Sequence, residues 1–217
     1  MKYAMGVDIG GTKIAISLGN NRGKILARKV ITTLKGSKVN QCLRELSWNI
    51  KEIISSSKIS KSKIVGLGLG IPGPVNPTKG VVPFSPHMKG WRGVKLASFL
   101  RRELKMSVAM ENDANATAIG EKVFGQAKNF QNFVYMTVST GVGGGIVANG
   151  KLIHGSDYVG GEIGHMIVVP QGELCPCGHQ GCLEAYASGT AMASFAQREL
   201  SVGMKSKYLK SGEVDGK

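Results

Sequence analysis

Twice along the chain a β-type run enters a glycine-rich turn and leaves as a second β-type run, from Gly6 to Leu18 and again from Tyr135 to Val147. No other feature limits the fold so strongly, because a recurring supersecondary unit marks two related domains. The first turn reads Asp8-Ile-Gly-Gly-Thr-Lys13 and the second Ser139-Thr-Gly-Val-Gly-Gly-Gly145. Around the first copy the pattern is β-β-β-α-β. Tyr3 to Ile9, Lys13 to Gly19 and Ile25 to Thr33 alternate as strands, with Asn20 to Gly23 as a hairpin turn. Val39, Leu43, Leu46, Ile50, Ile53 and Ile54 then recur at helical spacing. A strand over Ile64 to Leu69, a Gly/Pro loop, a helix over Leu96 to Leu104, a strand over Ser107 to Met110 and a helix from Asn112 to about Gly125 complete the half. The second half is expected to carry strands at Phe133 to Val138 and Gly144 to Ala148, an Asn149-Gly150 hairpin turn, and a helix over Ala185 to Leu200. The residues after Ser201 are polar and complete no second domain. The expected division is 1–112 and 113–217.

Composition narrows the class. With 217 residues, 42% of them hydrophobic, there is material for packed cores. The absence of an eighteen-residue apolar run and of a basic-then-apolar leader predicts a cytoplasmic protein without a membrane partner. The 28 Lys and Arg exceed the 14 Asp and Glu by 14 charges, but they are scattered, and only 6% of residues are aromatic. No nucleic-acid partner is expected from that pattern; attraction of nucleotides or phosphates is the milder use of the charge.

Three of the four cysteines fall within Cys175-Pro-Cys177-Gly-His-Gln-Gly-Cys182, behind Gly161-Glu-Ile-Gly-His165. Thiolates this close, with a histidine upstream, can enclose one tetrahedral Zn²⁺. His165 and His179 compete as fourth ligand, and four protein ligands leave no open position, so the metal is structural. Glu162 and Glu184 flank the knot. Cys42 lies on the apolar face of a helix and is expected to be inert core, and His87, the tryptophans and the remaining prolines are expected to pack or to shape loops.

Two further groups suit phosphate chemistry. Asp8, Gly10, Gly11, Thr12 and Lys13 combine a metal-side carboxylate, turn amides, a hydroxyl and an ammonium, although a hairpin needing Gly-Gly is the plainer reading. Thr140 and Gly141 begin a second such loop, for which a turn between strands is the alternative. Asp113 either caps a helix or accepts the proton of an attacking hydroxyl in a phosphoryl-transfer site.

In their order along the chain these motifs, with Gly70-Ile-Pro-Gly-Pro-Val75 and Glu111-Asn-Asp-Ala-Asn115, closely resemble the ROK family of sugar kinases and repressors from Met1 to about Leu200. The resemblance implies the actin-like, sugar-kinase superfold, two RNase H-like α/β domains hinged over a cleft, the second incomplete here. It implies ATP and Mg²⁺ as donor and metal. By motif, Asp113 corresponds to the general base and Asn112 to a sugar ligand. Glu162, His165 and Glu184 correspond to further hydroxyl ligands, with His165 also on zinc beside Cys175, Cys177 and Cys182. Asp8, Gly10, Gly11, Thr12, Thr140 and Gly141 correspond to phosphate and Mg²⁺ contacts. Repressors of the family carry a helix-turn-helix before the first phosphate motif, whereas Asp8 stands close to Met1. Members usually continue for on the order of a hundred further residues, which supply the adenine pocket. The resulting expectation is an ATP-dependent hexose kinase, most simply a glucokinase forming a dimer or tetramer. N-acetylmannosamine, N-acetylglucosamine and fructose kinases, or a non-catalytic sugar sensor, are the alternatives. The intact knot argues against the polyphosphate-dependent relatives that lack it.

Overall fold

The computed structural model describes residues 1–33, 39–83 and 90–208. The chain divides into two compact units, Met1–Phe130 and Gln131–Lys217. The division expected after residue 112 falls inside the first unit, because the helix that begins at Asp113 packs on that unit's own sheet. His87 lies outside the described residues.

In the first unit β1 (Tyr3–Ile9), β2 (Lys13–Asn20) and β3 (Ile25–Thr32) form an antiparallel meander. Helix α1 (Val39–Ser56) follows, then β4 (Ile64–Ile71), α2 (Leu96–Leu104), β5 (Val108–Asn112) and α3 (Asp113–Phe124). The strand order is β3-β2-β1-β4-β5, with β4 parallel to both β1 and β5. Period-two alternation sends Met5, Val7 and Ile9 of β1 and Ile14, Ile16 and Leu18 of β2 into the core. There they meet Leu43, Leu46, Ile50 and Ile53 of α1 and Leu96, Leu100 and Leu104 of α2. Each of these side chains contributes about 1.5–3 kcal/mol by burial. Cys42 is buried in this cluster, as is Trp91, whereas Trp48 is exposed beneath the Lys29 ammonium. Asp8 alternates to the opposite face of the sheet.

The second unit holds a three-stranded antiparallel sheet, β6 (Phe133–Val138), β7 (Val142–Ala148) and β8 (Lys151–Leu152). Two helices follow the cysteine-bearing loop, α4 (Glu184–Ala187) and α5 (Gly189–Ser201). The single helix expected over 185–200 is interrupted at Ser188, which is extended (ψ 155°) and caps α5 by accepting the Ala191 N–H at 3.0 Å. β7 begins two residues earlier than the expected Gly144, because Val142 and Gly143 continue the ladder opposite Val138 and Thr137 of β6. Among the described residues no helix is long and apolar enough to cross a membrane.

Candidate functional site

The first unit gathers its polar groups where β1, β4 and β5 end. Gly10 donates its N–H to the Lys13 carbonyl at 2.9 Å, and Thr33 clamps the turn by donating its hydroxyl to the Gly10 carbonyl at 2.7 Å and its N–H to the Thr12 carbonyl at 2.9 Å. Gly10 thus serves by shape, a Cβ there coming 3.0 Å from the Lys13 carbonyl, while Thr12 and Lys13 stay exposed. Asp113 lies across the end of β4, its backbone 3.6 Å from where a Gly70 Cβ would sit. The Asp8 side chain reaches solvent but is crowded enough to lose hydration, which pushes its pKa up; the nearby Asp113 charge adds to the rise, and Lys13 and Arg28 oppose it.

Asn112, not Asp113, caps α3. Its Oδ1 accepts the Asn115 N–H at 3.0 Å and its Nδ2 donates to the Gly73 carbonyl at 3.2 Å. One amide hydrogen and one lone pair of Asn112 are left for a ligand. Asp113 is the first helical residue, its Oδ1 accepting the Ala114 N–H at 2.9 Å. Sequence reading passed over Glu111, whose Oε1 accepts both the Asn112 N–H at 2.9 Å and the Asn115 Nδ2 at 3.2 Å. A carboxylate beside a strand-to-helix junction with Asn four residues on was the available signal.

In the second unit the Ser139–Gly141 loop is fastened to the start of α5. Gly189 donates its N–H to the Ser139 carbonyl at 2.7 Å, and the Thr190 hydroxyl donates to the Thr140 carbonyl at 2.8 Å. Glu184 Oε2 accepts the Val142 N–H at 2.7 Å, and a Cβ on Gly141 would come 2.5 Å from that oxygen. Glu162 precedes a 3-10 turn, Ile163–His165, and its Oε2 lies 3.9 Å from His165 Nε2. Thr190 was also missed; the hydroxyl after Ser188-Gly189 has no sequence signal beyond the cap itself.

His165, Cys175, Cys177 and Cys182 offer one ligand atom each, all within 4.8 Å of one another. His165 Nδ1 lies 3.7 Å from Cys175 Sγ, and the Cys177 and Cys182 sulfurs are 3.6 Å apart. Four donors about 2.3 Å from a common centre stand about 3.8 Å apart in a tetrahedron, so the cluster fits a tetrahedral metal. His179 Nδ1 approaches Cys177 Sγ at 3.6 Å but is outside the four-atom group. Burial raises the Cys175 thiol to about 12 and also raises Cys182, whereas Cys177, exposed and receiving the His179 backbone N–H, is lowered to about 6. The loop closes through Cys175 N–H to the His179 carbonyl at 2.8 Å and Leu183 N–H to the Met166 carbonyl at 2.9 Å. Gly178 and Gly181 take positive φ of 94° and 85° where it doubles back.

The sequence profile of the ROK family matches residues 4–213. The chain belongs to the ROK family. Glucokinase of Thermotoga maritima is 38% identical over 191 residues, 88% of this chain and 59% of its own length. The xylose repressor of Caldicellulosiruptor bescii is 32% identical over 211 residues, 97% of this chain and 53% of its own. The structure of a ROK family glucokinase from Streptomyces griseus in complex with glucose and AMPPNP superposes with a TM-score of 0.75 at 34% identity, covering 93% of this chain and 62% of that one. The ROK chain therefore has the actin-like α/β fold of the sugar kinases, over a little more than half the length of the curated relatives it matches.

Proposed function

We propose that this ROK protein serves ATP-dependent phosphoryl transfer to a hexose, glucose and its 6-hydroxyl first among the candidates. The observation that carries the reading is the pair Asp8 and Asp113, close enough at the strand ends for one charge to raise the other's pKa. Two carboxylates held together at a cost suit one that faces a cation and one that takes a proton. Asp113 is assigned as general base, and Asn112, Glu162, His165 and Glu184 as ligands of the sugar hydroxyls. Carboxylates and an imidazole accept hydroxyl protons and fix the hydroxyls in direction, which is how a site selects one sugar position for attack. Gly11, Thr12, Lys13, Thr140 and Gly141 are assigned to phosphate, with Gly10 shaping their turn.

Mg²⁺ beside Asp8 would neutralise charge on the transferred group. Zn²⁺ on His165 Nδ1, Cys175, Cys177 and Cys182 would be structural. With Nδ1 on the metal, Nε2 of His165 is left beside Glu162, so one ring serves both staple and sugar.

The test is transfer from ATP to a panel of hexoses, by the 217-residue chain and by the product of its full coding sequence. Phosphorylated hexose from either, lost in Asp113→Asn, supports the reading. Sugar-dependent thermal stabilisation with no transfer by either protein would favour the sensor, a reading to which the similarity to a xylose repressor lends weight.

A further inference from the structure

A cavity in the first unit is lined by none of the residues assigned to this transfer. About 430 Å³ in volume, it opens between α1, α2 and the segment leading into α2, a size usual for small-molecule sites. α1 and α2 cover the face of the sheet formed by Met5, Val7 and Ile9, so the cavity lies on the side away from Asp8. Val39 and Phe99 give it apolar walls, Ser98 a hydroxyl, and Arg92, Lys95 and Arg102 positive charge.

Among the described residues no carboxylate lines it, and none pairs with those three cations. The surrounding sequence is equally one-sided, since residues 53–102 contain nine Lys or Arg and no Asp or Glu. The Arg102 guanidinium stands 5.6 Å from the Phe99 ring centroid, so the ring steadies the cation without consuming its N–H groups. α2 begins at this wall with no acidic residue in its first turn and no side-chain cap, so its dipole adds to the same sign. Like charges gathered without counter-charge repel one another, and that repulsion is relieved when an anion sits among them.

We propose that this cavity binds a small organic phosphate, its phosphate against Arg92, Lys95 and Arg102 and its apolar part between Val39 and Phe99. Guanidinium pairs grip phosphate through two N–H groups each, and the apolar wall distinguishes an organic phosphate from the free ion. The proposal is independent of the kinase reading.

Amide shifts in ¹H–¹⁵N spectra of the 217-residue chain test it, with phenyl phosphate as probe at fixed ionic strength and inorganic phosphate in a parallel titration. Saturable shifts at Val39–Leu43 and Gly90–Arg102, weaker with inorganic phosphate, are expected. Arg92→Ala with Arg102→Ala is expected to weaken binding at least about tenfold through loss of two charge-assisted contacts. Ser98→Glu guards against a misfolded variant, because a carboxylate at the third residue of α2 favours the helix while placing negative charge in the cavity; it too is expected to weaken binding at least about tenfold. No saturable shift in these segments, shifts confined to Gly11, Thr12, Thr140 and Gly141, or unchanged affinity in Ser98→Glu would overturn the proposal.

Discussion

Glu184 and Val142 are joined by a 2.7 Å hydrogen bond from the Val142 N–H to Oε2, so a carboxylate assigned to the sugar also fixes the strand that leaves the Thr140–Gly141 loop. Val142 is buried. Glu184→Ala is therefore expected to leave an unpaired buried donor and to lower stability by about 1–3 kcal/mol, in addition to weakening hexose binding. Denaturant unfolding and glucose titration measure the two effects; an unchanged unfolding midpoint would remove Glu184 from the loop.

Two glycines beside this bond separate function from folding. A Cβ at Gly141 meets only the end of the Glu184 side chain, at 2.5 Å, whereas one at Gly164 would meet the Val142 carbonyl at 2.1 Å. Gly141→Ala is expected to fold, losing no more than the about 1–3 kcal/mol of the Glu184–Val142 hydrogen bond because the flexible carboxylate can shift and water can replace it, and to lose at least about tenfold in transfer as the carboxylate is pushed aside. Gly164→Ala forces backbone apart and is expected to cost at least about 2 kcal/mol. Thermal melting of both variants, with the transfer assay on the first, checks the contrast.

The thiols predict the proton count of metal binding. Above pH 7, Cys177, lowered to about 6, is already a thiolate, while Cys175 at about 12 and the raised Cys182 still carry their protons. Zinc uptake at pH 8 is expected to release about two protons per ion, readable as the buffer dependence of the binding heat. A chelator is then expected to lower the melting temperature, and Cys175→Ser to abolish the zinc dependence.

Asp8 sets a pH dependence in the metal-free chain. Its pKa is raised in the folded state, so folded protein holds the proton more firmly than unfolded chain, and ionising Asp8 destabilises the fold. This contribution is absent below the ordinary carboxylate pKa of 3.8 and develops fully as pH rises through the folded value. Asp8→Asn is expected to melt higher than the parent at pH 7 and equally at the lowest pH at which both remain folded. A lower melting temperature at pH 7 would contradict the crowding of Asp8 by its surroundings and Asp113.

Much of this was legible in the sequence, for identifiable reasons. Strict alternation in β1 and β2 and the helical recurrence from Val39 to Ile54 reflect one-sided burial, which hydropathy reports directly. The break at Ser188 was hidden because Ala185 to Leu200 is rich in alanine and helix-compatible on both sides of Ser188-Gly-Thr190, and a cap by the Ser188 hydroxyl does not show in the hydropathy pattern. The cap at the start of α3 belongs to Asn112 because that residue ends β5 in extended geometry (ψ 145°), which two adjacent capping residues do not reveal by type. His165 and His179 compete by spacing, with His179 disfavoured because it lies inside the cysteine loop close to both neighbours; the backbone path of the loop brings His165 into the thiol group and leaves His179 beside Cys177 alone. Side chains that act on backbone, such as Thr33, Glu111 and Thr190, have no periodicity to announce them.

The most direct test of the account is transfer of the γ-phosphate of labelled ATP to glucose by the protein expressed from its full coding sequence, with Asp113→Asn beside it. Glucose 6-phosphate from the parent and a loss of at least about a thousandfold in the variant is the predicted result, since the general base would be gone while its neighbours remain. No labelled hexose from the parent, or an unchanged rate in Asp113→Asn, would contradict it.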